Sequence, residues 1–179
     1  MLASLSTFAQ NWAMDKAHSK LGFTVTHLMV SDVDGAFKNF SITINTSKDD
    51  FAGSAVELTA EINSINTDND YRDNDLKSEK FFDAVKFPTL SFKSTSFTKV
   101  DDKNYKLSGN LTMHGITKPV VLDVAFNGII THPMTKKPVA GFKITGAIKR
   151  KDFDIASGFP TAVVSDEIQI SANVELNKG

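Results

Sequence analysis

The chain has 179 residues, with 20 basic and 21 acidic side chains for a formal net charge of −1, and no cysteine. That length suits one domain able to bury roughly 70% of its unfolded surface. The charge balance excludes a general basic field for nucleic acid, the lack of cysteine excludes disulfides and thiolate chemistry, and no apolar run approaches the ~20 residues of a membrane-spanning helix.

Residues 1–10 read as an N-terminal tail. The stretch MLASLSTFAQNWAMD is mildly apolar, with small residues around Thr7 to Ala9, which fits a signal-peptide remnant. It lacks a basic leading region, so a frayed terminus fits equally. The domain proper is expected over 11–177.

From there the dominant pattern is two-residue alternation, the signature of half-buried strands. HSKLGFTVTHLMV sets Leu21, Phe23, Val25, His27 and Met29 on one face, and SDVDG follows as turn chemistry. NFSITINT sets Phe40, Ile42 and Ile44 together, TSKDDFAG reads as a turn, and AVELTAEINSI aligns Val56, Leu58, Ala60 and Ile62. Between Asn66 and Phe87 the alternation stops. Asn69 or Asp70 is suited to cap a short, weakly amphipathic helix through Lys80, whose acidic start around Arg72 reads as solvated. Phe81 and Phe82 sit side by side at its polar end, a placement that makes sense if they seal the end of a barrel. Pro88 then restarts extended chain.

Five more strands follow. TLSFKST carries Leu90 and Phe92; YKLSGNLTMHG carries Tyr105, Leu107, Leu111 and Met113; PVVLDVAFNGII carries Val120, Leu122, Val124 and Phe126. GFKITGAIKR aligns Phe142, Ile144 and Ile148, and DEIQISANVEL aligns Ile168, Ile170, Ala172, Val174 and Leu176. The turns VDDKN, HGITKP, THPMTKKP and ASGFP separate them.

Eight strands on short connections predict an all-β fold: an eight-stranded antiparallel up-and-down barrel, closed so that no edge is exposed, with one short helix between the third and fourth strands. A sandwich also satisfies the alternation. The outward faces are Lys, Glu, Asp, Thr and Ser, the reverse of a membrane barrel, so no membrane insertion is expected. An eight-stranded interior is either filled by side chains or holds one small ligand, and the pattern leaves both open.

Parity nominates the tunnel wall: Phe23, Val25, Phe40, Ile42, Leu58, Phe92, Leu111, Leu122, Phe126, Phe142, Ile144 and Ile170, with Phe82 from the helix end. His27 shares that parity and is suited either to bond a ligand head group or to stand as a satisfied rim histidine. Gly35, Gly109, Gly128 and Gly146 mark bulges or places where the tunnel needs room. The four histidines are dispersed and have no metal-ligand spacing, His18 reads as bonding neighbouring backbone, and no catalytic set is expected. Arg150 is in phase with Ile144 and Ile148, and Asp166 with Ile168, which predicts a partly buried structural Arg150–Asp166 ion pair near the barrel end.

The segments HSKLGFTVTHLMVSDVDGAF, SINTDNDYRDNDLKSEKFFDAVKFPTLSFKST, LSGNLTMHGITKPVVL and GFKITGAIKRKDF, in that order and spacing, resemble the YceI-like family from about Asn11 to Leu176. The resemblance implies a lipocalin-like barrel with a helix beside it. It implies a long amphiphilic lipid in the tunnel (a polyisoprenoid, an isoprenoid quinone or a fatty-acid-like chain) as ligand, with no cofactor. It also implies a periplasmic or secreted setting and a homodimer. Two positions depart from the family's pattern: Asp75 stands where a histidine is usual, and Asp154 where a glycine is usual. The expected function is a non-enzymatic carrier or sequestering protein. The alternatives are an enzyme modifying a tunnel-bound lipid or quinone, with His27 and Tyr105 as its inward polar groups, and a filled barrel used only as an interaction module.

Overall fold

The alternating segments form strands whose apolar sides face one interior. The computed structural model describes residues 10–179, so the expected tail or signal remnant over residues 1–10 lies outside the described residues but for Gln10. Eleven strand segments make one sheet: β1 (Gln10–Met14), β2 (Lys20–His27), β3 (Ser31–Phe37), β4 (Phe40–Thr46), β5 (Ala55–Glu61), β6 (Ile65–Asn66), β7 (Thr89–Lys99), β8 (Asn104–Met113), β9 (Ile116–Thr131), β10 (Pro138–Lys149) and β11 (Val164–Lys178). Three staves are interrupted, β1 with β2, β3 with β4 and β5 with β6; five are continuous, which gives eight. β11 closes the ring. One edge pairs with β10, and the other pairs first with β2 and then with β1, where Trp12 stands opposite Lys178. The fold is a closed, eight-stranded antiparallel barrel with one helix.

The breaks are hydrogen-bonded rather than open. Between β1 and β2 the Asp15 N–H donates to the Glu175 carbonyl at 2.8 Å, and the Ser19 hydroxyl accepts the Glu175 N–H at 3.0 Å. A side chain thereby takes the place of a missing ladder partner. Between β3 and β4, Lys38 donates to the Ser64 carbonyl and Asn39 accepts from the Glu61 N–H, at 3.0 and 2.9 Å.

Two sequence expectations are corrected. Gln10–Met14 is a strand, with Trp12 buried inside the closure. SDVDG is not a turn: it forms most of β3, in register with β2 from Leu21↔Phe37 to His27↔Ser31. Its turn-forming acids are used across the hairpin, where Thr24 donates to Asp34 at 2.6 Å and Thr26 to Asp32 at 2.8 Å. The true turn is Leu28–Met29–Val30.

α1 (Asp70–Lys77) is capped by Asn69, whose side chain accepts the Arg72 N–H at 3.0 Å, and stops three residues before Lys80. Its acidic start is not wholly solvated. Asp73 is 5% exposed, and one of its oxygens accepts both the Thr67 N–H, at 2.8 Å, and the Thr67 hydroxyl, at 2.6 Å. Arg72 closes the knot by donating to the Thr67 hydroxyl and carbonyl, both at 2.7 Å. This fixes the helix to the end of β6 and so positions the segment carrying Phe81 and Phe82.

The end of the barrel away from the helix is filled. Phe51, from the loop between β4 and β5, lies 5.2 Å from Trp12, 5.5 Å from Phe126 and 5.1 Å from Phe142, ring centre to ring centre. Tyr105 stacks on Phe97 at 4.9 Å and donates its hydroxyl to the Asp50 carbonyl at 2.6 Å. Burial pushes the Tyr105 hydroxyl above its ordinary pKa. Among the described residues, no helix is long and apolar enough to cross a membrane.

Candidate functional site

Between this plug and the helix end the interior is hollow. The cavity has a volume of about 190 Å³. A single water needs only ~10–15 Å³, so this is no packing defect. Inward apolar side chains outline it. Phe23, Val25, Leu58, Ile144, Ile148, Ile168 and Ile170 all line the hollow, yet each is only half-buried. Their strands place them together: Phe23 opposes Ile170, Val25 opposes Ile168, and Ile148 opposes Ile168 from the other side.

The wall needs space in the neighbouring strands. A Cβ on Gly35 would sit 2.2 Å from the ring of Phe23, one on Gly109 2.3 Å from Phe92, and one on Gly146 2.4 Å from Leu122. Each glycine is where a large wall side chain lies across the next strand. Gly128 is different: its φ is +108°, and it adjoins the bulge where Gly141 pairs Gly128 but Phe142 pairs Phe126.

Of the nominated residues, Phe23, Val25, Ile42, Leu58, Phe82, Phe92, Leu111, Leu122, Phe142, Ile144 and Ile170 lie on the cavity wall. Three do not. His27 is exposed where β2 ends. Phe40 lines an outer cleft with Lys16, Lys20 and Lys38, at the break between β3 and β4. Phe126 faces inward but belongs to the plug, 5.1 Å from Phe142. Neither inward polar candidate therefore faces the hollow, since Tyr105 is also in the plug.

Wall residues missed by parity have local causes. A bulge between Ser94 and Ser96 shifts β7 by one residue and turns Phe97 inward. Leu76, Phe81 and Ile155 come from non-strand segments, and Phe37 from a strand read as a turn. Phe81 and Phe82 act as a pair across the helix end: Phe82 meets Phe37 edge-on at 6.3 Å, and Phe81 meets Phe159 at 5.3 Å.

Among the described residues Arg150 is the one ionisable residue on the wall, and it is 3% exposed. The expected pair with Asp166 does not form; among the described residues Arg150 makes no salt bridge. The register is as expected, with Lys149 opposite Glu167, but β10 gives way to a 3₁₀ turn at Arg150–Phe153. That turn swings the guanidinium under the connection to β11. Its donors reach the carbonyls of Ser165 at 3.1 Å, Ile155 at 3.2 Å, Phe159 at 2.9 Å and Val164 at 3.0 Å, and that of Ala156. Asp166 instead accepts the Lys151 N–H at 3.1 Å. Asp154 ends the 3₁₀ turn at φ +55°, the left-handed region that favours glycine.

The histidines lie away from the hollow. His18 contacts the Asp15 carboxylate at 3.2 Å, not backbone, and both stand near Glu175 at the surface break. The His114 ring packs on Phe87 at 4.8 Å, and its Nδ1 is 3.1 Å from the Phe153 carbonyl.

Comparison with known proteins accords with this geometry. Residues 12–176 match the family model of the YceI-like domain. The UPF0312 protein SAB2563 of Staphylococcus aureus is 37% identical over 166 residues, 93% of each chain. The crystal structure of the Campylobacter jejuni YCEI protein superposes with a TM-score of 0.79 at 36% identity, covering 92% of this chain and 96% of that one. A polyisoprenoid binding domain from Saccharophagus degradans, implicated in plant cell wall breakdown, shares the fold: TM-score 0.66, 17% identity, 94% and 98% covered.

Proposed function

This chain belongs to the YceI-like family, and from that premise we propose that it binds a long isoprenoid or other amphiphilic lipid in the barrel's hollow and carries or sequesters it without chemical change. The observation that carries this reading is a set of inward apolar side chains left half-buried around a space that no side chain fills. A non-polar chain threaded there would be stabilised by roughly 0.8 kcal/mol per buried CH₂, or about 4 kcal/mol gross per C5 unit. Ordering and desolvation offset much of this. The known ligand class of the Saccharophagus domain points the same way. A periplasmic or secreted setting and a homodimer are part of the same proposal, to be tested by cell fractionation and by sedimentation.

Organic extraction and native mass spectrometry of purified protein provide the test. An intact prenyl or acyl chain should be recovered, or taken up when supplied in detergent. Ile144→Trp and Ile170→Trp, which extend half-buried wall residues into the hollow, should lower the captured amount and shorten the longest chain accepted. A chemically altered product would indicate an enzyme. Failure of both extraction and uptake would indicate a protein with no lipid ligand.

A further inference from the structure

The tip of the β2–β3 hairpin combines two features that are each unfavourable in water. Leu28, Met29 and Val30 are consecutive and 51%, 75% and 81% exposed. Leu28 and Met29 also hold φ of +52° and +59°, and the Val30 N–H closes the turn on the His27 carbonyl at 3.1 Å. Two successive left-handed residues are the geometry for which hairpins favour Asn-Gly. Neither Leu nor Met relieves that strain, and both add exposed apolar surface. Strain kept at an exposed position is a pointer to function.

Its place in the fold is the second observation. The tip stands at the unplugged end of the barrel. The Leu28 N–H donates to the Val163 carbonyl at 2.9 Å, and His27 pairs with Val164. Val164, in that pairing, and Val25, two residues before His27, both line the hollow. Phe159, on the connection held by Arg150, is a partly exposed aromatic at the same end.

We propose that Leu28–Met29–Val30 is a docking tip that enters the interfacial region of a lipid bilayer and sets the barrel's mouth against the surface from which a lipid is drawn. This rests on the lipid-binding reading. The occupant is argued from shape and size. Three side chains on a convex hairpin fall far short of the ~1,200–2,000 Å² that a stable protein interface buries, whereas interfacial insertion needs only a small apolar wedge beside a polar body. The tip Leu28–Met29–Val30 carries no charge of its own, so the contact it offers is apolar. A neutral bilayer therefore suffices. The charged outer wall stays in water.

The test uses the double variant Leu28→Asn/Met29→Gly, which supplies the residues this turn geometry favours and so preserves the hairpin. The probe is phosphatidylcholine vesicles, by co-sedimentation. Wild type should sediment with vesicles, and the variant should lose about tenfold or more in partition, the effect of withdrawing one large apolar side chain. Met134→Ser, exposed on the turn at the plugged end, should sediment as wild type does. Uptake of a polyisoprenoid alcohol presented in detergent, where no bilayer is needed, should be equal in all three. Equal vesicle partition of wild type and double variant overturns the proposal, as does no partition by wild type or a matching loss in Met134→Ser. A wild type that is dimeric where the variant is monomeric, with unchanged vesicle partition, would assign the tip to a second copy of the chain instead. Loss of detergent uptake in wild type would overturn the lipid reading, while the vesicle comparison still reports on the tip.

Discussion

Arg150→Met should be among the most damaging single changes in the barrel, although Arg150 belongs to no ion pair. The substitution keeps the stem and removes every donor. Five carbonyls lose a partner. The buried Ile155 carbonyl is left unsatisfied, which costs about 1–3 kcal/mol, while the buried Ala156 carbonyl keeps the Phe159 N–H at 2.9 Å and loses a hydrogen bond from a charged donor, worth about 1.5–3 kcal/mol. The other three are partly exposed and regain water. Removing a desolvated cation offsets part of the loss, so the net expectation is about 3 kcal/mol. For a chain of this length that is roughly 6–12 °C in Tm. Urea unfolding followed by the fluorescence of Trp12, the single tryptophan, measures it from the opposite end of the barrel and so reports global unfolding. Arg150→Lys, with fewer donors, should fall between. Asp166→Asn should cost less than about 1 kcal/mol, because an amide oxygen still accepts the Lys151 N–H. The reasoning is refuted if Arg150→Met lies within about 1 kcal/mol of wild type, or if Asp166→Asn costs as much as Arg150→Met, the behaviour of a true buried pair.

Other expectations follow from the same geometry. Asp73→Ala should destabilise by about 2–4 kcal/mol in urea, because it strands the buried Thr67 N–H and hydroxyl, and should raise hydrogen exchange across α1 first. Gly109→Ala puts a methyl 2.6 Å from the Lys93 carbonyl as well as against Phe92. It should cost about 1–3 kcal/mol and reduce lipid capture, measured by extraction. Asp154→Gly should stabilise by up to about 1 kcal/mol, since it removes the left-handed penalty at the end of the 3₁₀ turn; a loss in melting temperature would contradict this. The His18 imidazole is raised above 6.5 by its hydrogen bond to Asp15 and then by the charges of Asp15 and Glu175. A raised pKa means the contact is fully present below that ordinary value and is lost as pH climbs through the raised one. Titration followed by NMR should show the elevation, and Asp15→Asn should abolish most of it.

Much of the barrel was legible because one period governed long stretches. Where Ile42, Leu58, Leu111 and Ile170 alternate with polar residues, the inner face follows from pleat geometry alone. The failures lie where another force took over. The Asp and Gly of SDVDG suggested a turn, but the acids serve as cross-strand acceptors and Gly35 makes room for the ring of Phe23. The bulge after Ser94 reversed the parity that would have found Phe97. Phe51 lay in a polar loop, where only its bulk among small residues hinted that it would fold back inside. Arg150 was placed on the right face and given the wrong partner. A cation in a connection rich in free carbonyls can be satisfied by backbone, and no pairing of formal charges reveals that. His27 was assigned to the tunnel by parity, but it is the last residue of β2 and stands exposed at the rim.

The wedge of Phe51 between Trp12, Phe126 and Phe142 has a consequence for traffic. It makes that end of the barrel a dead end. In the proposed lipid-binding role, a chain that went in tail first from the other end would have to back out head first, past the same threshold. Donor and acceptor would then take turns, and a molecule whose tail outgrew the dead end would leave its head standing outside.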